Sequence, residues 1–236
     1  MEVSSELYNL LKTAFTVKDE GAVNFNPFIG SLSKKWKEAL ENKTVLSDEI
    51  ISSELTKMNS SSLEFLDNNK VKRNGDAEID LGAIAKGYAI DRVYEYLKEN
   101  EITHYLVDAG SSSILIGEKQ SEDGYYSVGL ANLPNAYLNL KNCVISTSSN
   151  SRQNTVIDGV TYSHIINPNN GSAVNVHDAV IVISEKGYYG DAISTSLVNA
   201  SLDEIKEVEV NHNIKTIVID DNKIAYKHES FEVKYR

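Results

Sequence analysis

Apolar residues recur at helical spacing in the first segment of the chain. Leu7, Leu10, Leu11, Ala14 and Phe15 fall on one face, and Ser4 or Ser5 stands where an N-cap belongs. Ser31 to Leu40 and Ser47 to Met58 are further helix candidates, separated from the first by a turn-rich loop, Asn24-Phe25-Asn26-Pro27-Phe28-Ile29-Gly30. Beyond residue 60 the pattern changes to short apolar runs between turn residues. Leu63 to Leu66 and Lys70 to Arg73 flank Asp67-Asn68-Asn69, a hairpin signal. Glu78 to Leu81 reads as a short strand, broken by Gly82, and Ala83 to Asn100 as the longest helix. Strands are predicted over Tyr105 to Asp108, Ser113 to Ile116, Tyr125 to Leu130, Tyr137 to Leu140, Val144 to Ser146 and Val176 to Ser184. Asp158-Gly159 marks another hairpin, Asp191 to Asn199 a helix, and Lys215 to Ile219 with Lys223 to Tyr226 a last hairpin.

Strands in runs with a few helices between them predict an α+β fold, mainly antiparallel, in a single domain over residues 1–236. No internal repeat or linker stands out. The net charge of −11 argues against a general nucleic-acid role, and an anionic ligand would need a local metal, lysine or helix N-terminus. The one cysteine, Cys143, sits in a strand-like apolar run and is read as core. No apolar run is long enough to span a membrane, and the first residues carry neither a basic nor an apolar signal region. The expectation is a cytoplasmic protein as given, or an exported one whose leader has been removed.

Four segments could carry chemistry. In Ile79 to Asp91 a strand-like stretch, a glycine turn and a helix start follow one another, with Lys86 in the first turn. Backbone N–H groups there favour an anion; the alternative is a packing turn with a solvated lysine. In Gly190 to Ser196, Asp191 and Thr195 are four apart and share a helical face, which pairs two hard oxygen donors suited to Mg²⁺. Equally, Asp191 could be an N-cap and Thr195 a core residue. His164 lies where a strand enters an Asn-Pro-x-Asn-Gly turn, a place for a general base or for a structural histidine. Ser146 to Arg152 is rich in hydroxyls and ends in a cation; it could line a phosphate site or be a polar loop.

Taken together, the chain resembles the FAD:protein FMN transferase (ApbE-type) family. Asp80-Leu81-Gly82-Ala83-Ile84-Ala85-Lys86-Gly87-Tyr88-Ala89 is similar to its most characteristic string. Ser163-His164-Ile165-Ile166-Asn167-Pro168 and Gly190-Asp191-Ala192-Ile193-Ser194-Thr195 match two more, in the family's order. Leu106 to Gly110 and Ile145 to Ser148 match weaker ones. The resemblance implies a T-fold-related domain that moves FMN from FAD to a threonine of a target flavoprotein and releases AMP. The same site with water in place of threonine would be an FAD pyrophosphatase, and without catalysis a flavin-binding relative. It implies Mg²⁺ on Asp191, Thr195 and the Ala83 carbonyl, with Ser194 adjacent. Asp80, Lys86, Asn24, Phe25, Asn26 and Ile165 would contact FAD, and His164 and Asp191 are the catalytic candidates.

The chain departs from the family's pattern at several places. Asn26 and Asn167 stand where the family usually has Asp, Phe28 where it has Thr, and Ser111 and Ser149 where it has Gly. Family members also carry several tens of residues before the first helix, including a first strand and groups that pack on the flavin and adenine. The expectation is weaker FAD binding than in a longer relative, and a sheet edge that another subunit could cover.

Overall fold

The computed structural model describes residues 1–20, 24–151 and 153–236. The chain divides into two compact units, Met1–Gly82 with Arg152–Asn175, and Ala83–Ser151 with Val176–Arg236.

In the first unit, α1 (Ser5–Asp19) is capped by Ser4, whose hydroxyl accepts the Leu7 N–H. A 3₁₀ turn (Pro27–Ile29) leads into α2 (Gly30–Glu41), and α3 (Asp48–Ser60) follows. The hairpin β1 (Ser62–Leu66) and β2 (Lys70–Asn74) closes over Asn68 and Asn69, which both take positive φ. Leu11, Phe15, Phe28, Met58 and Val71 form one apolar cluster of this unit, and Leu32, Trp36, Ile166 and Ala173 form another. The predicted strand over Glu78 to Leu81 does not form. Its backbone is used differently: Gly30 donates to the Glu78 carbonyl and Asp80 donates to the Pro27 carbonyl, so no ladder is left to build.

The second unit opens with α4 (Ala85–Glu99). A six-stranded antiparallel sheet follows, built from β3 (Leu106–Ala109), β4 (Ser113–Ile116), β7 (Cys143–Ser149), β10 (Ala179–Ser184), β11 (Lys215–Asp220) and β12 (Lys223–Lys227). Their order is β12-β11-β10-β7-β4-β3. β5 (Tyr126–Gly129), β6 (Ala136–Leu140) and the short β13 (Lys234–Tyr235) make a three-stranded sheet. The hairpin β8 (Asn154–Ile157) and β9 (Val160–Ser163) belongs to the first unit. Strand alternation sorts the core of the large sheet. Ile116, Ile145, Ile181, Ile183, Ile217 and Ile219 pack with Val128, Leu138 and Leu140 of the small sheet. Leu115 and Val144 point the other way and pack with Ile90 of α4. On that helix-covered face lies α5 (Gly187–Leu197), buried almost all round.

One helix escaped the sequence reading, α6 (Leu202–His212). Its signal was present in Ser201 and Glu204, which form a capping box. Cys143 opens β7 and packs at the edge of the apolar core; burial pushes its thiol up to about 11, so it stays protonated and inert at neutral pH.

The two central helices α4 and α5 meet at glycines. A Cβ on Gly87 would lie 2.0 Å from the Gly187 carbonyl oxygen, and one on Gly187 would lie 2.5 Å from that of Gly87. In an isolated helix, alanine is better than glycine by about 1 kcal/mol. Here the clash is with backbone and decides the sign. Gly87→Ala is therefore expected to destabilise the protein by about 3 kcal/mol or more, read as a lower urea midpoint, whereas unchanged stability would mean the helices do not touch.

Candidate functional site

α5 begins four residues before Asp191, so Asp191 is not its N-cap, and the capping alternative is excluded. Asp191 instead faces α4. Its Oδ2 accepts the Gly87 N–H at 3.0 Å and lies 4.0 Å from the Lys86 ammonium. Its Oδ1 accepts the Ser113 hydroxyl at 3.1 Å. The side chain is 4% exposed. Burial raises its pKa above that of an ordinary Asp, while Lys86 and the hydrogen bonds pull the other way. The N–H of Gly87, in the first turn of α4, is therefore committed to an internal carboxylate rather than open to an outside anion.

The start of α5 mirrors this arrangement. Its N-cap, Lys186, makes no side-chain cap. Asp91 of α4 supplies one, its two oxygens accepting Gly187 N–H at 2.7 Å and Tyr188 N–H at 2.9 Å. Each helix thus has its first turn capped by an aspartate from the second turn of the other. The sequences echo each other: Gly87-Tyr88-Ala89-Ile90-Asp91 and Gly187-Tyr188-Tyr189-Gly190-Asp191. In both, a glycine allows backbone contact and an aspartate four residues on reaches across. Sequence reasoning missed Asp91, although the Gly-Tyr-x-x-Asp echo was its signal.

Thr195 follows Asp191 by one turn and shares its face. Thr195 Oγ1 donates to the Asp191 carbonyl at 3.1 Å and lies 2.9 Å from Ser148 Oγ, which is 3.0 Å from Ser194 Oγ. Ser148 comes from the hydroxyl-rich segment, which is therefore partly strand β7 and partly site; Arg152 at its end lies outside the described residues. Ala83 sits in the turn that opens α4. The second unit so brings Lys86, Asp191, Ser194 and Thr195 into one cluster, with Ser113 and Ser148 added by the sheet.

The remaining predicted residues belong to the first unit. Asn26 Oδ1 accepts the Phe28 N–H and caps the 3₁₀ turn, and Asn24, at φ 54°, accepts from the Asn169 amide. Asp80 Oδ1 accepts the Gly82 N–H at 2.8 Å. Phe25 is half-buried in the same loop as Asn24 and Asn26. The Ile165 N–H donates to Ser163 Oγ, and its carbonyl accepts from Asn175. His164 is exposed just after β9, with Nδ1 3.2 Å from the Gln153 carbonyl. A carbonyl only accepts, so the neutral ring carries its proton on Nδ1 and its lone pair on Nε2, the tautomer a general base needs. The Asn24–Asn26 loop is thereby tied to the turn after Ile165 through Asn169, and to Asp80 through Pro27.

The ApbE family model matches residues 1–218. The chain belongs to the ApbE family. Similar proteins of the family include FAD:protein FMN transferases from Chlamydia pneumoniae, 26% identical over 230 residues, Treponema pallidum, 24% over 215, and Klebsiella pneumoniae, 28% over 208. These matches cover 92%, 82% and 84% of this chain but 71%, 59% and 63% of those relatives. The ApbE protein of Thermotoga maritima superposes with a TM-score of 0.81 at 25% identity, covering all of this chain and 77% of that one. A mutant of the flavin transferase ApbE of Vibrio cholerae gives 0.76 at 25% identity, covering 97% and 76%. The ApbE fold agrees with the α+β, antiparallel expectation. No helix among the described residues is long and apolar enough to cross a membrane.

The crossed caps make one prediction in this part of the molecule. Asp91→Ala removes both acceptors from the start of α5 and should destabilise the protein by about 1–2 kcal/mol, with Asp91→Asn losing less because it keeps one acceptor. Chemical denaturation of the two variants measures this, and equal stability of all three proteins would show that water replaces the cap.

Proposed function

We propose that this chain transfers FMN from FAD to a threonine hydroxyl of another protein, using Mg²⁺ at the Asp191 cluster. The observation that carries the reading is that cluster: a buried carboxylate, a hydroxyl one turn on, and a lysine beside them. The names of the relatives support the reaction class, and the resemblance of the Ser163–Pro168 segment supports a base at His164.

The donor chemistry fits Mg²⁺. The oxygens on offer are those of one carboxylate, Asp191, and of hydroxyls and a backbone carbonyl. Among the described residues no group of three His, Cys, Asp or Glu could form a cage. Mg²⁺ commonly takes one or two protein carboxylates and completes its shell with water and phosphate oxygens, which matches this set. Asp191 and Thr195 would hold it, with the Ala83 carbonyl and Ser194 beside them. When bound, it would neutralise charge on the pyrophosphate oxygens.

The chain's own groups do the rest. Lys86, with its side chain about half exposed, adds positive charge beside Asp191. Asn24, Phe25, Asn26, Asp80 and Ile165 would contact the nucleotide. Transfer forms a bond between the acceptor hydroxyl oxygen and the FMN phosphorus and breaks the anhydride bond, so that AMP leaves with the bonding pair. On the resemblance of the Ser163–Pro168 segment, His164 Nε2 is the group that would take the hydroxyl proton.

The test mixes the protein with FAD, Mg²⁺ and a flavoprotein acceptor bearing a threonine acceptor motif. Intact mass should show FMN added to the acceptor, and chromatography should show AMP. Free FMN and AMP without labelling would make the protein a pyrophosphatase; bound FAD with neither product would make it a carrier. His164→Ala should lower kcat by about a hundredfold while FAD affinity holds; full activity would place the base elsewhere.

Calorimetry of FAD with and without Mg²⁺ probes the metal directly. The wild type should bind FAD more tightly with Mg²⁺, and Asp191→Ala should lose that difference. Because burial raises the Asp191 pKa and a ligand must be ionised, the Mg²⁺ effect should fade on acidification above the range of an ordinary Asp, about 3.9. A Mg²⁺ effect that survives in Asp191→Ala would exclude the site.

A further inference from the structure

The crossed helices hold two aspartates in equivalent places with unequal surroundings. Asp91 spends both oxygens on backbone N–H groups of α5. Asp191 spends Oδ2 on the Gly87 N–H of α4, but its Oδ1 is held by a side chain from the sheet, Ser113. Ser113 is fully buried, opens β4, and pairs across the ladder with Ser146 of β7. Strand alternation puts it on the face that α5 covers, with Leu115 two residues on.

We propose that Ser113 is a positioning residue for the metal-binding carboxylate, a role that rests on the Mg²⁺ reading of Asp191 given above. A hydroxyl donates a single hydrogen bond, so Ser113 restrains Oδ1 while leaving that oxygen a lone pair for a cation. A carboxylate held from two sides cannot rotate about its last bond, and Mg²⁺ tolerates little departure from octahedral placement of its ligands. Ser113 thus does for Asp191 what groups behind a ligand do in metal sites generally: it fixes the orientation of the ligand without touching the metal. The same bond separates the two aspartates by task. Asp91, with each oxygen on an amide of α5, is a clamp, and Asp191, whose Oδ1 is held by a hydroxyl, can serve a metal.

The experiment titrates Mg²⁺ calorimetrically into protein saturated with FAD, for wild type, Ser113→Ala, Ser113→Cys and Asp191→Ala, with thermal unfolding of each as a control. Ser113→Cys keeps the side chain's shape with a weak donor, and carries the test if Ser113→Ala does not fold. The expected result is Mg²⁺ affinity weakened about tenfold or more in both Ser113 variants. AMP release should return toward the wild-type rate at saturating Mg²⁺, which a general structural defect would not allow. If Asp191→Ala loses Mg²⁺ binding while the folded Ser113 variants keep wild-type affinity, the proposal is overturned and the metal reading stands. If Asp191→Ala binds Mg²⁺ like the wild type, the metal reading fails and takes the proposal with it.

Discussion

Two helices reach backbone contact only where neither carries a side chain at the crossing, and the second unit depends on such a crossing between α4 and α5. Gly87 and Gly187 leave no room for a Cβ on either side. At that distance each helix's first turn comes within reach of the other's second turn, and the unpaired N–H groups that every helix start exposes find carboxylates across the gap. Asp91 and Asp191 fill those places. The helix dipoles favour negative charge at both. The candidate metal ligand is therefore a by-product of helix packing: a carboxylate buried because the helices touch, kept soluble in the interior by a first-turn N–H and by Lys86.

The same crowding shapes the sheet beneath. Beneath α5 the sheet carries Ser113, Ser146, Ser148 and Ser184, while Leu115 and Val144 of the same face pack with Ile90 of α4. Gly190 shows why: a Cβ there would sit 2.5 Å from Ser184 Oγ and 2.8 Å from Ser146 Oγ. α5 lies too close to the strands for bulk, and small side chains are required on both surfaces. Alanine would meet that requirement with no polar atoms to satisfy, so packing alone does not explain serine. Ser113 bonds Asp191, and Ser148 stands between Ser194 and Thr195. Ser146 Oγ has no partner among the described residues although it is fully buried. A buried hydroxyl without a partner is a cost the interior does not ordinarily carry, and such departures gather where function sets the side chains.

Much of this was legible in the chain because the signals are local. Ser4 capping α1, Asp67-Asn68-Asn69 and Asp158-Gly159 turning hairpins, and the all-apolar run of β10 each depend on a few neighbouring residues. What failed depended on distant partners. Glu78 to Leu81 has strand-like residues, but its N–H and C=O groups go to Pro27 and Gly30, some fifty positions away. Asp191 looks like a cap by composition, and only the true start of α5 at Gly187 excludes it. Asp91 and Ser113 act across long separations, on Gly187 and Asp191, so no window along the sequence contains both partners.

The positions that depart from the family's pattern show which parts of a carboxylate's role need its charge. Asn26 and Asn167 stand where aspartate is usual. In each case the side-chain oxygen accepts a backbone N–H close by, from Phe28 and from Asn169. An amide oxygen does that as well as a carboxylate, so the turns survive the loss of charge. Ser111 is different. It stands in for a glycine at φ 62°, where an L side chain is strained, and its N–H is held by Asp108. Position 111, next to Gly110 at φ 72°, thus keeps a glycine's geometry without a glycine, because the hairpin of β3 and β4 on either side fixes the turn. That hairpin delivers Ser113 to Asp191. The strain at Ser111 and the placement of Ser113 belong to one turn, and the ladder pairing Ala109 with Ser113 holds both.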